Sequence, residues 1–389
     1  MATATPRATK RELFDDEHHA YRESYRTFLS REVLPHYKEW EQAQIVPREL
    51  FTKCAEHGFL AMEVPEQYGG NGIDDWRFNV VLGEEAALSG VGDAMGGPLL
   101  HTDVVLPYLI ASADEAQKER WFPGIASGEQ ILAIAMTEPG TGSDLAGIKT
   151  RARKDGTDYV LSGAKTFITN GINADLVIVA ARTSDDRHGG LSLFVVERGM
   201  PGFERGKQIE KVGQHASDTA ELFFEDVRLP QENLLGAEGS GFLQLVSRLV
   251  PERLTLAVTS MAGAEAAFQM TLDYVKERKA FGKPIGAFQN TRFVMAELRT
   301  EIEISRAFVD RTVQRYVDGT CTIEEAAMAK YWTTDLLCKV ADHGVQFHGG
   351  YGYTTEYPIS KAWVDSRITK IYAGTNEIMK ELIGKTMGL

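Results

Sequence analysis

A loop rich in glycine and hydroxyl side chains is the first stretch of this sequence whose residue types indicate chemistry. Residues 136–144, MTEPGTGSD, follow a strand-like apolar run at 131–135. Backbone N–H groups and hydroxyls in such a loop can bind the polar edge of a ring or a phosphate, although an ordinary Pro-Gly turn has the same composition. The loop is not a nucleotide P-loop, because Ile148 stands where that motif requires a lysine.

A second stretch, KTFITNG at residues 165–171, places an aromatic ring and a hydroxyl at the end of a predicted strand. Phe167 and Thr169 are two residues apart, so they are expected to share one face of the strand and to meet the same ligand. A plain hairpin closed by an Asn-Gly turn is the alternative interpretation.

A third candidate is Glu252, which stands between Pro251 and Arg253 on a predicted helix. A carboxylate in this setting can accept a proton from a substrate. The alternative is a structural ion pair with Arg248, four residues earlier on the same helix face, and helix spacing alone favours that alternative.

The elements that must position these residues fall into three stretches, which predict an α+β protein of three domains. Apolar residues recur at helical spacing through residues 1–130, for example at Tyr21, Tyr25 and Phe28, and predict an N-terminal helical domain. Residues 131–238 contain short β-rich runs separated by Gly, Asp and Asn, which indicate an antiparallel β-barrel or sandwich. Residues 239–389 contain four long helical patterns joined by short loops, which predict a C-terminal four-helix bundle.

Composition narrows the classes of partner. The 389 residues carry 42 Lys and Arg against 55 Asp and Glu, a net charge of −13, which disfavours nucleic acid as a partner. Three widely spaced cysteines without a CxxC pair suggest neither a disulfide framework nor a metal site.

No apolar run is long enough for membrane insertion. The basic opening, residues 1–11, is followed at once by acidic residues, so a cytoplasmic location is expected and a mitochondrial transit peptide is less favoured.

Together, the loop at 136–144 and the stretch at 165–171 resemble the acyl-CoA dehydrogenase family, and the similarity extends over nearly the whole chain. Four further segments are similar to that family in the same order: QHASDTAELFFEDVRLP at 214–230, ERKAFGKPI at 277–285 with Gln289, QFHGG at 346–350, and IYAGTNE at 371–377. Within the family, the runs IAMTEPGTGSDLAGIKT and NEIMKELI look most like the members that act on long acyl chains.

The resemblance implies that the chain binds FAD and needs no metal. The isoalloxazine would be held by Ile134, Met136, Thr137, Gly142, Ser143, Phe167 and Thr169. The pyrophosphate and adenine of the FAD of a neighbouring subunit would be reached by Arg278, Phe281, Gln289, Gln346, Gly349 and Gly350. The turn that opens the last helix would contribute Thr375, Asn376 and Glu377.

The resemblance also implies where the catalytic base stands. Many members carry a catalytic glutamate where this chain has Ala373, and a methyl group cannot accept a proton. A subgroup instead carries the base on a helix directly before an arginine, as Glu252 stands before Arg253 here. Substrate contacts are expected, by family position, at Ser143, Leu245, Arg248, Arg253, Ala373 and Gly374.

The implied function is α,β-dehydrogenation of a medium- to long-chain fatty acyl-CoA in β-oxidation. Glu252 would take the α-proton, FAD would take the β-hydride, and the electrons would pass to electron-transferring flavoprotein. A homo-oligomer, and specifically a tetramer, is expected because one subunit reaches the FAD of another. The alternatives are a dehydrogenase for short or branched chains, an acyl-CoA oxidase, and a flavin-bearing scaffold without catalysis, which the missing carboxylate at residue 373 would favour.

Overall fold

The computed structural model describes residues 11–187 and 189–389, so most of the basic opening segment lies outside the described residues. Helices precede residue 127 and follow residue 240, with strands between them. The α-helices of the described residues are α1 (Asp16–Phe28), α2 (Tyr37–Ala43), α3 (Glu49–Glu56), α4 (Arg77–Leu88), α5 (Gly96–Leu99), α6 (Leu106–Ser112), α7 (Glu115–Ala126), α8 (Gly241–Glu277), α9 (Gln289–Val317), α10 (Ile323–His348), α11 (Pro358–Ser366) and α12 (Asn376–Thr386).

The strands form one main sheet and one short hairpin. They are β1 (Leu132–Ala135), β2 (Arg151–Asp155), β3 (Asp158–Thr169), β4 (Leu176–Arg182), β5 (Leu191–Glu197), β6 (Phe203–Gln208), β7 (Thr219–Leu229), β8 (Leu234–Leu235), β9 (Lys279–Ala280) and β10 (Lys283–Pro284). The predicted order of helices, then strands, then helices is therefore confirmed.

The main sheet has the order β6-β7-β3-β2-β4-β5-β8, and β1 pairs with β4. Neighbours along this order are antiparallel except β2 and β4, whose single paired position is parallel. The pair β1–β4 is also parallel, from Leu132 opposite Leu176 to Ala135 opposite Val179. A parallel pair needs a long connection, and here β2 and β3 lie between the two strands in the chain. Alternation within single strands does not reveal such a pairing, so the sequence predicted only the antiparallel part.

The chain divides into two compact units. The first consists of the described residues up to Pro35, Asp75–Gly92 and Val250–Leu389, and the second consists of His36–Asp74 and Asp93–Leu249. The first has an apolar core that includes Val81, Leu254 and Met261, and the core of the second includes Tyr159 and Phe194. Because the units are discontinuous in sequence, the two boundaries of the three predicted domains, near residues 130 and 238, stay a prediction.

A cluster of buried charges joins α1, α4 and α9 within the first unit. Glu84, 1% exposed, accepts hydrogen bonds from Arg11 at 2.7 Å, Arg22 at 2.9 Å and Arg306 at 2.7 Å, and Asp310 accepts a further bond from Arg11 at 2.7 Å. We call these five residues the Glu84 cluster. Burial alone would raise the pKa of Glu84, but the charges of Arg306, Arg11 and Arg22 lower it to about 2. The carboxylate is therefore the shared anion of three cations.

The C-terminal helices match the predicted pattern closely. Helix α10 begins at a capping box, in which the Glu325 N–H donates to Thr322 Oγ1 at 3.1 Å and the Thr322 N–H donates to Glu325 Oε2 at 3.0 Å. Helices α9, α11 and α12 all contact α10. No helix among the described residues is long and apolar enough to span a bilayer.

Candidate functional site

The glycine-rich loop leaves β1 and turns back at once. The Glu138 N–H donates to the Thr141 carbonyl at 2.9 Å, and the Thr141 N–H donates to the Glu138 carbonyl at 3.1 Å. Beyond this turn Gly142 and Ser143 are exposed, and an added Cβ at Gly142 would meet no atom within 4 Å. The loop thus contains the Pro-Gly turn that was considered as an alternative, and it also presents an open, polar backbone segment.

A buried ion pair fixes this loop to β3. The Lys165 ammonium donates to Glu138 Oε1 at 2.9 Å and to the Met136 carbonyl at 2.9 Å, and the Thr166 N–H donates to the Thr137 carbonyl at 3.0 Å. Lys165 is 0% exposed, and burial lowers the pKa of its ammonium to about 8 although Glu138 opposes that change. The sequence assigns no role to Lys165, and in the structure this residue holds the main chain at Met136.

The end of β3 does not keep the alternation expected from the sequence. Lys165 lies opposite Leu222 but Ile168 lies opposite Ala220, so β3 contains one extra residue, a β-bulge, in this interval. Phe167 has a φ of 60°, in the left-handed region, and its ring is 65% exposed. The argument that Phe167 and Thr169 share a face at period two is therefore wrong, because the bulge interrupts that period. The aromatic ring is nevertheless exposed next to the loop that Lys165 fixes.

The alternative of a plain Asn-Gly hairpin is also wrong. Strand β3 pairs with β2 and β7, not with β4, which follows it in the chain. Asn170 is 1% exposed and has a φ of 60°, and its Nδ2 donates to the carbonyls of Gly97 at 3.1 Å and Leu132 at 3.0 Å. Asn170 therefore anchors the end of β1 rather than closing a turn between adjacent strands.

In the first unit, the segments around Arg278 and Gly349 lie side by side. The Arg278 guanidinium stands 5.5 Å from the centre of the Tyr351 ring, and the Tyr274 ring stacks on that of His348 at 4.0 Å. Phe281, at the turn of the β9–β10 hairpin, has a φ of 51° and is 94% exposed. Gln289, Gln346, Gly349 and Gly350 are exposed as well.

Glu252 lies inside α8, directly after Pro251, and is 7% exposed. Proline has no N–H, so the helix loses one backbone hydrogen bond next to this carboxylate. Arg253 is 3% exposed, and among the described residues its Nε and Nη1 have no hydrogen-bond partner. Burial lowers the pKa of the Arg253 guanidinium, although the charge of Glu252 opposes that change. A buried guanidinium with free donors is suited to a polar ligand.

The turn before α12 is held from behind by a lysine. Ala373 and Gly374 have φ values of 52° and 84°, so two consecutive residues adopt the left-handed conformation. The Lys330 ammonium donates to the Gly374 carbonyl at 2.7 Å and to Asn376 Oδ1 at 3.0 Å. Thr375 caps α12, since its hydroxyl accepts from the Ile378 N–H at 3.3 Å. The prediction that residues 375–377 open the last helix is confirmed.

Two expected contacts need correction. The side chain of Asn376 is 1% exposed and bonds to Lys330, Thr334 and Asp335, so it supports the turn from inside and does not face a cofactor. The side chain of Leu245 is 0% exposed, so it offers no surface to a substrate in this conformation. Arg248, Ala373 and Gly374 are partly exposed and Glu377 is exposed.

Within each of the two units, the residues present fit a bound FAD. In the second unit, the exposed Phe167 ring neighbours a loop whose Gly140 and Gly142 leave open space where a Cβ would stand. In the first unit, open glycines at 349 and 350 lie in the same segment as the Arg278–Tyr351 contact. Exposed aromatic surface, guanidinium donors and unobstructed backbone are the groups that a flavin dinucleotide requires.

Comparison with known proteins gives matches along the whole chain. Three family models match in order: the acyl-CoA dehydrogenase N-terminal domain at residues 15–129, the middle domain at 133–227 and the C-terminal domain at 239–388. The long-chain specific mitochondrial acyl-CoA dehydrogenase of Sus scrofa is 47% identical over 378 residues, which cover 96% of this chain and 87% of that protein.

Solved structures agree. The crystal structure of an acyl-CoA dehydrogenase from Geobacillus kaustophilus has a TM-score of 0.95 at 48% identity and covers 97% of this chain and 100% of its own. A glutaryl-CoA dehydrogenase from Mycobacterium smegmatis, solved in complex with FADH2, has a TM-score of 0.87 at 27% identity and covers 96% of this chain and 95% of its own.

Proposed function

Because the chain belongs to the acyl-CoA dehydrogenase family, we propose that it oxidises medium- to long-chain fatty acyl-CoA to trans-2-enoyl-CoA with Glu252 as the base. As a member of this family the chain is an oxidoreductase that uses FAD and acts on acyl-CoA. The chain length, the identity of the base and the electron acceptor are the parts that we propose.

The reaction makes two demands on the side chains of this protein. The α-proton of a thioester is weakly acidic, so its removal needs a positioned base and stabilisation of the enolate oxygen that forms. Glu252 would accept the proton, and the backbone N–H of Ala373 would donate to the thioester carbonyl. Because a main-chain group performs the second task, the side chain at 373 need not be a carboxylate. FAD, when bound, supplies the acceptor for the hydride.

One observation within the first unit carries the assignment of Glu252. The buried Glu252 adjoins Arg253, whose positive charge is close enough to Lys330 to lower the pKa of that ammonium, and Lys330 bonds to the turn at Gly374. The Glu252 carboxylate and the turn at Ala373 and Gly374 are thus linked through the charges of Arg253 and Lys330. A buried carboxylate of this kind is suited to proton abstraction.

Anaerobic mixing of the purified flavoprotein with an acyl-CoA tests the proposal. The wild-type flavin should bleach, and Glu252→Gln should lose at least about 100-fold in the rate of bleaching, because the amide cannot accept the proton. Asp273→Asn, an exposed change on the same helix, is the matched control and should bleach normally. Undiminished bleaching by the Glu252→Gln variant would contradict the role of this residue.

The preferred acyl chain rests on similarity to the long-chain specific relative. Steady-state kcat/KM across saturated acyl-CoA substrates of increasing length should be highest for medium or long chains. A maximum at four or five carbons would contradict the proposal and favour a short- or branched-chain dehydrogenase.

Electron-transferring flavoprotein is the acceptor that we propose, with a homotetramer as the working assembly. Turnover in air without that acceptor should release little hydrogen peroxide, whereas rapid peroxide formation would identify an acyl-CoA oxidase. Static light scattering of the purified holoprotein measures the assembly. The cytoplasmic location stays a prediction.

A further inference from the structure

A fully buried lysine on α10 supports the turn at Ala373 and Gly374. Lys330 is 0% exposed, and its ammonium donates to the Gly374 carbonyl and to Asn376 Oδ1 at 2.7 and 3.0 Å. Asn376 is in turn held by Thr334, whose Oγ1 lies 3.0 Å from Asn376 Nδ2, and by Asp335 Oδ1 at 3.1 Å. Residues of α10 therefore bond both to the main chain of the turn, at Gly374, and to the side chain of Asn376, the first residue of α12.

A lysine is a costly choice for this position. Removing an ammonium from water is unfavourable unless it gains strong partners, and an apolar residue of similar volume is often at least as stabilising. Burial, followed by the charge of Arg253, lowers the pKa of Lys330 to about 8, against the opposing charges of Asp335 and Glu377. A neutral donor or an apolar residue would avoid this cost, so the contact with the turn is the distinctive contribution of the lysine.

The turn needs such support because its backbone is strained. Ala373 has a φ of 52°, in the left-handed region where a residue with a Cβ is rarely found. Such a conformation persists only when surrounding contacts hold it. The Lys330 bond to the Gly374 carbonyl fixes the orientation of the Gly374–Thr375 peptide plane and so restrains the turn that contains Ala373.

We propose that Lys330 is a positioning residue, whose ammonium fixes the Ala373–Gly374 turn so that the Ala373 N–H points at the thioester carbonyl. This inference rests on the proposed function of that N–H. It assigns Lys330 and its neighbour Thr334 to the acceleration of proton removal rather than to substrate affinity, because the enolate charge develops only in the transition state.

The test compares holoenzymes of wild type, Lys330→Met and Lys339→Met. Methionine keeps the length of the side chain but removes the donors, and Lys339 is a partly exposed lysine on the same helix, paired with Glu301 at 2.6 Å. Per bound flavin, Lys330→Met should lower kcat by about 10- to 100-fold with KM changed by less than about threefold, because a small misplacement of a reacting group has effects of this size. Lys339→Met should behave as wild type.

A second readout does not depend on turnover. A 2,4-dienoyl-CoA is a chromophore whose absorbance shifts to longer wavelength when a donor polarises its carbonyl. Bound to wild type or to Lys339→Met it should show this shift, and bound to Lys330→Met it should show a clearly smaller one. If Lys330→Met keeps the full shift, or keeps its kcat per flavin, the positioning role is overturned.

Thr334→Val provides a milder variant, which decides the matter if Lys330→Met does not fold. Loss of the hydroxyl beside Asn376 should lower kcat per flavin severalfold without raising KM, and an unchanged kcat would overturn the proposal. Glu252→Gln, measured alongside, separates the two proposals. If it retains turnover the proposed base is wrong, whereas the dienoyl shift still tests the turn.

Discussion

Two buried lysines each donate to a main-chain carbonyl in their own unit, Lys165 to Met136 in the second and Lys330 to Gly374 in the first. Both ammonium groups have a pKa that burial lowers to about 8. In each case an ionic side chain holds a segment of irregular backbone for which we propose a ligand contact. Rigid support of this kind keeps backbone donors aligned without any contribution from the ligand.

At residue scale, Lys165→Met should weaken FAD binding. The variant removes the bond to the Met136 carbonyl and leaves Glu138 with the N–H groups of Lys149 and Thr150, so the loop loses its ionic anchor to β3 and keeps the main-chain bond from Thr166. We expect the dissociation constant for FAD to rise by about 10-fold or more, because a charged hydrogen bond contributes about 1.5 to 3 kcal/mol.

Flavin fluorescence on titration of the apoprotein measures this constant. Lys207→Met, an exposed change on β6 of the same unit, is the control and should bind FAD normally. Equal affinity in wild type and Lys165→Met would show that the ion pair does not support the loop.

At residue scale the sequence named candidate ligand contacts, which stay predictions, but it did not name the residues that support them. Glu252, Arg253 and the loop at 136–144 were identified from residue types and from the resemblance, because their roles depend on local motifs. The supporting role of Lys330 is not visible in sequence, since lysine is normally exposed and its partner lies 44 residues away. The bulge at Phe167 was missed because the alternation of a strand gives no sign of one inserted residue.

At the scale of elements, α1, α4 and α9 meet at the Glu84 cluster, in which one carboxylate bonds to three arginines. Glu84→Gln would leave Arg11, Arg22 and Arg306 without their shared anion. The variant should lose about 3 kcal/mol of stability, the low end of the range for a broken buried pair, because the three arginines lose their shared partner but keep Asp310, Glu85 and Glu265. The melting temperature of the holoprotein at fixed protein and FAD concentrations measures the change.

A surface pair on α9 provides the control for that variant. Glu303→Gln removes the exposed partner of Arg299, and exposed pairs contribute about 1 kcal/mol at most. Similar melting temperatures for Glu84→Gln and Glu303→Gln would refute the structural role of the cluster.

The same carboxylate predicts how stability depends on pH. The pKa of Glu84 falls from 4.5 to about 2 in the folded chain, so the folded state holds this group deprotonated where the unfolded state begins to bind a proton. Its contribution is fully present above the unfolded pKa and is lost as the pH falls through the interval from 4.5 to about 2. The difference in melting temperature between wild type and Glu84→Gln should therefore shrink across this interval, and a constant difference would contradict the assignment.

At this scale the helices were predicted well and the sheet less well. Helix α8 was expected from about residue 239 to 278 and spans Gly241–Glu277, because helical periodicity is local. The pairing of β1 with β4 depends on strands far apart in the chain, so the sequence could not predict it.

At the scale of the whole molecule, we propose that the exposed ring of Phe281 contacts the cofactor of a second subunit. An aromatic side chain that is 94% exposed gains little from its own chain. Phe281→Ala should weaken FAD binding by about 3- to 10-fold, because an aromatic contact contributes about 0.5 to 1.5 kcal/mol. The melting temperature of the apoprotein should stay unchanged.

Equilibrium dialysis against FAD, over a range of protein concentrations, measures this effect and its dependence on assembly. If subunits share the cofactor, dilution that dissociates the wild-type oligomer should also release FAD. Retention of FAD by monomers with wild-type affinity would contradict the sharing.

The discontinuous make-up of the first unit has a consequence for biosynthesis. During translation all residues of the second unit are present once Leu249 has been made. The contacts of the Glu84 cluster, which include Arg11, cannot be complete until Arg306 has also been made. Until then the early segments carry charges that will later be buried, and they stay hydrated. Folding during translation should therefore begin in the middle of the chain and finish with the joining of its two ends.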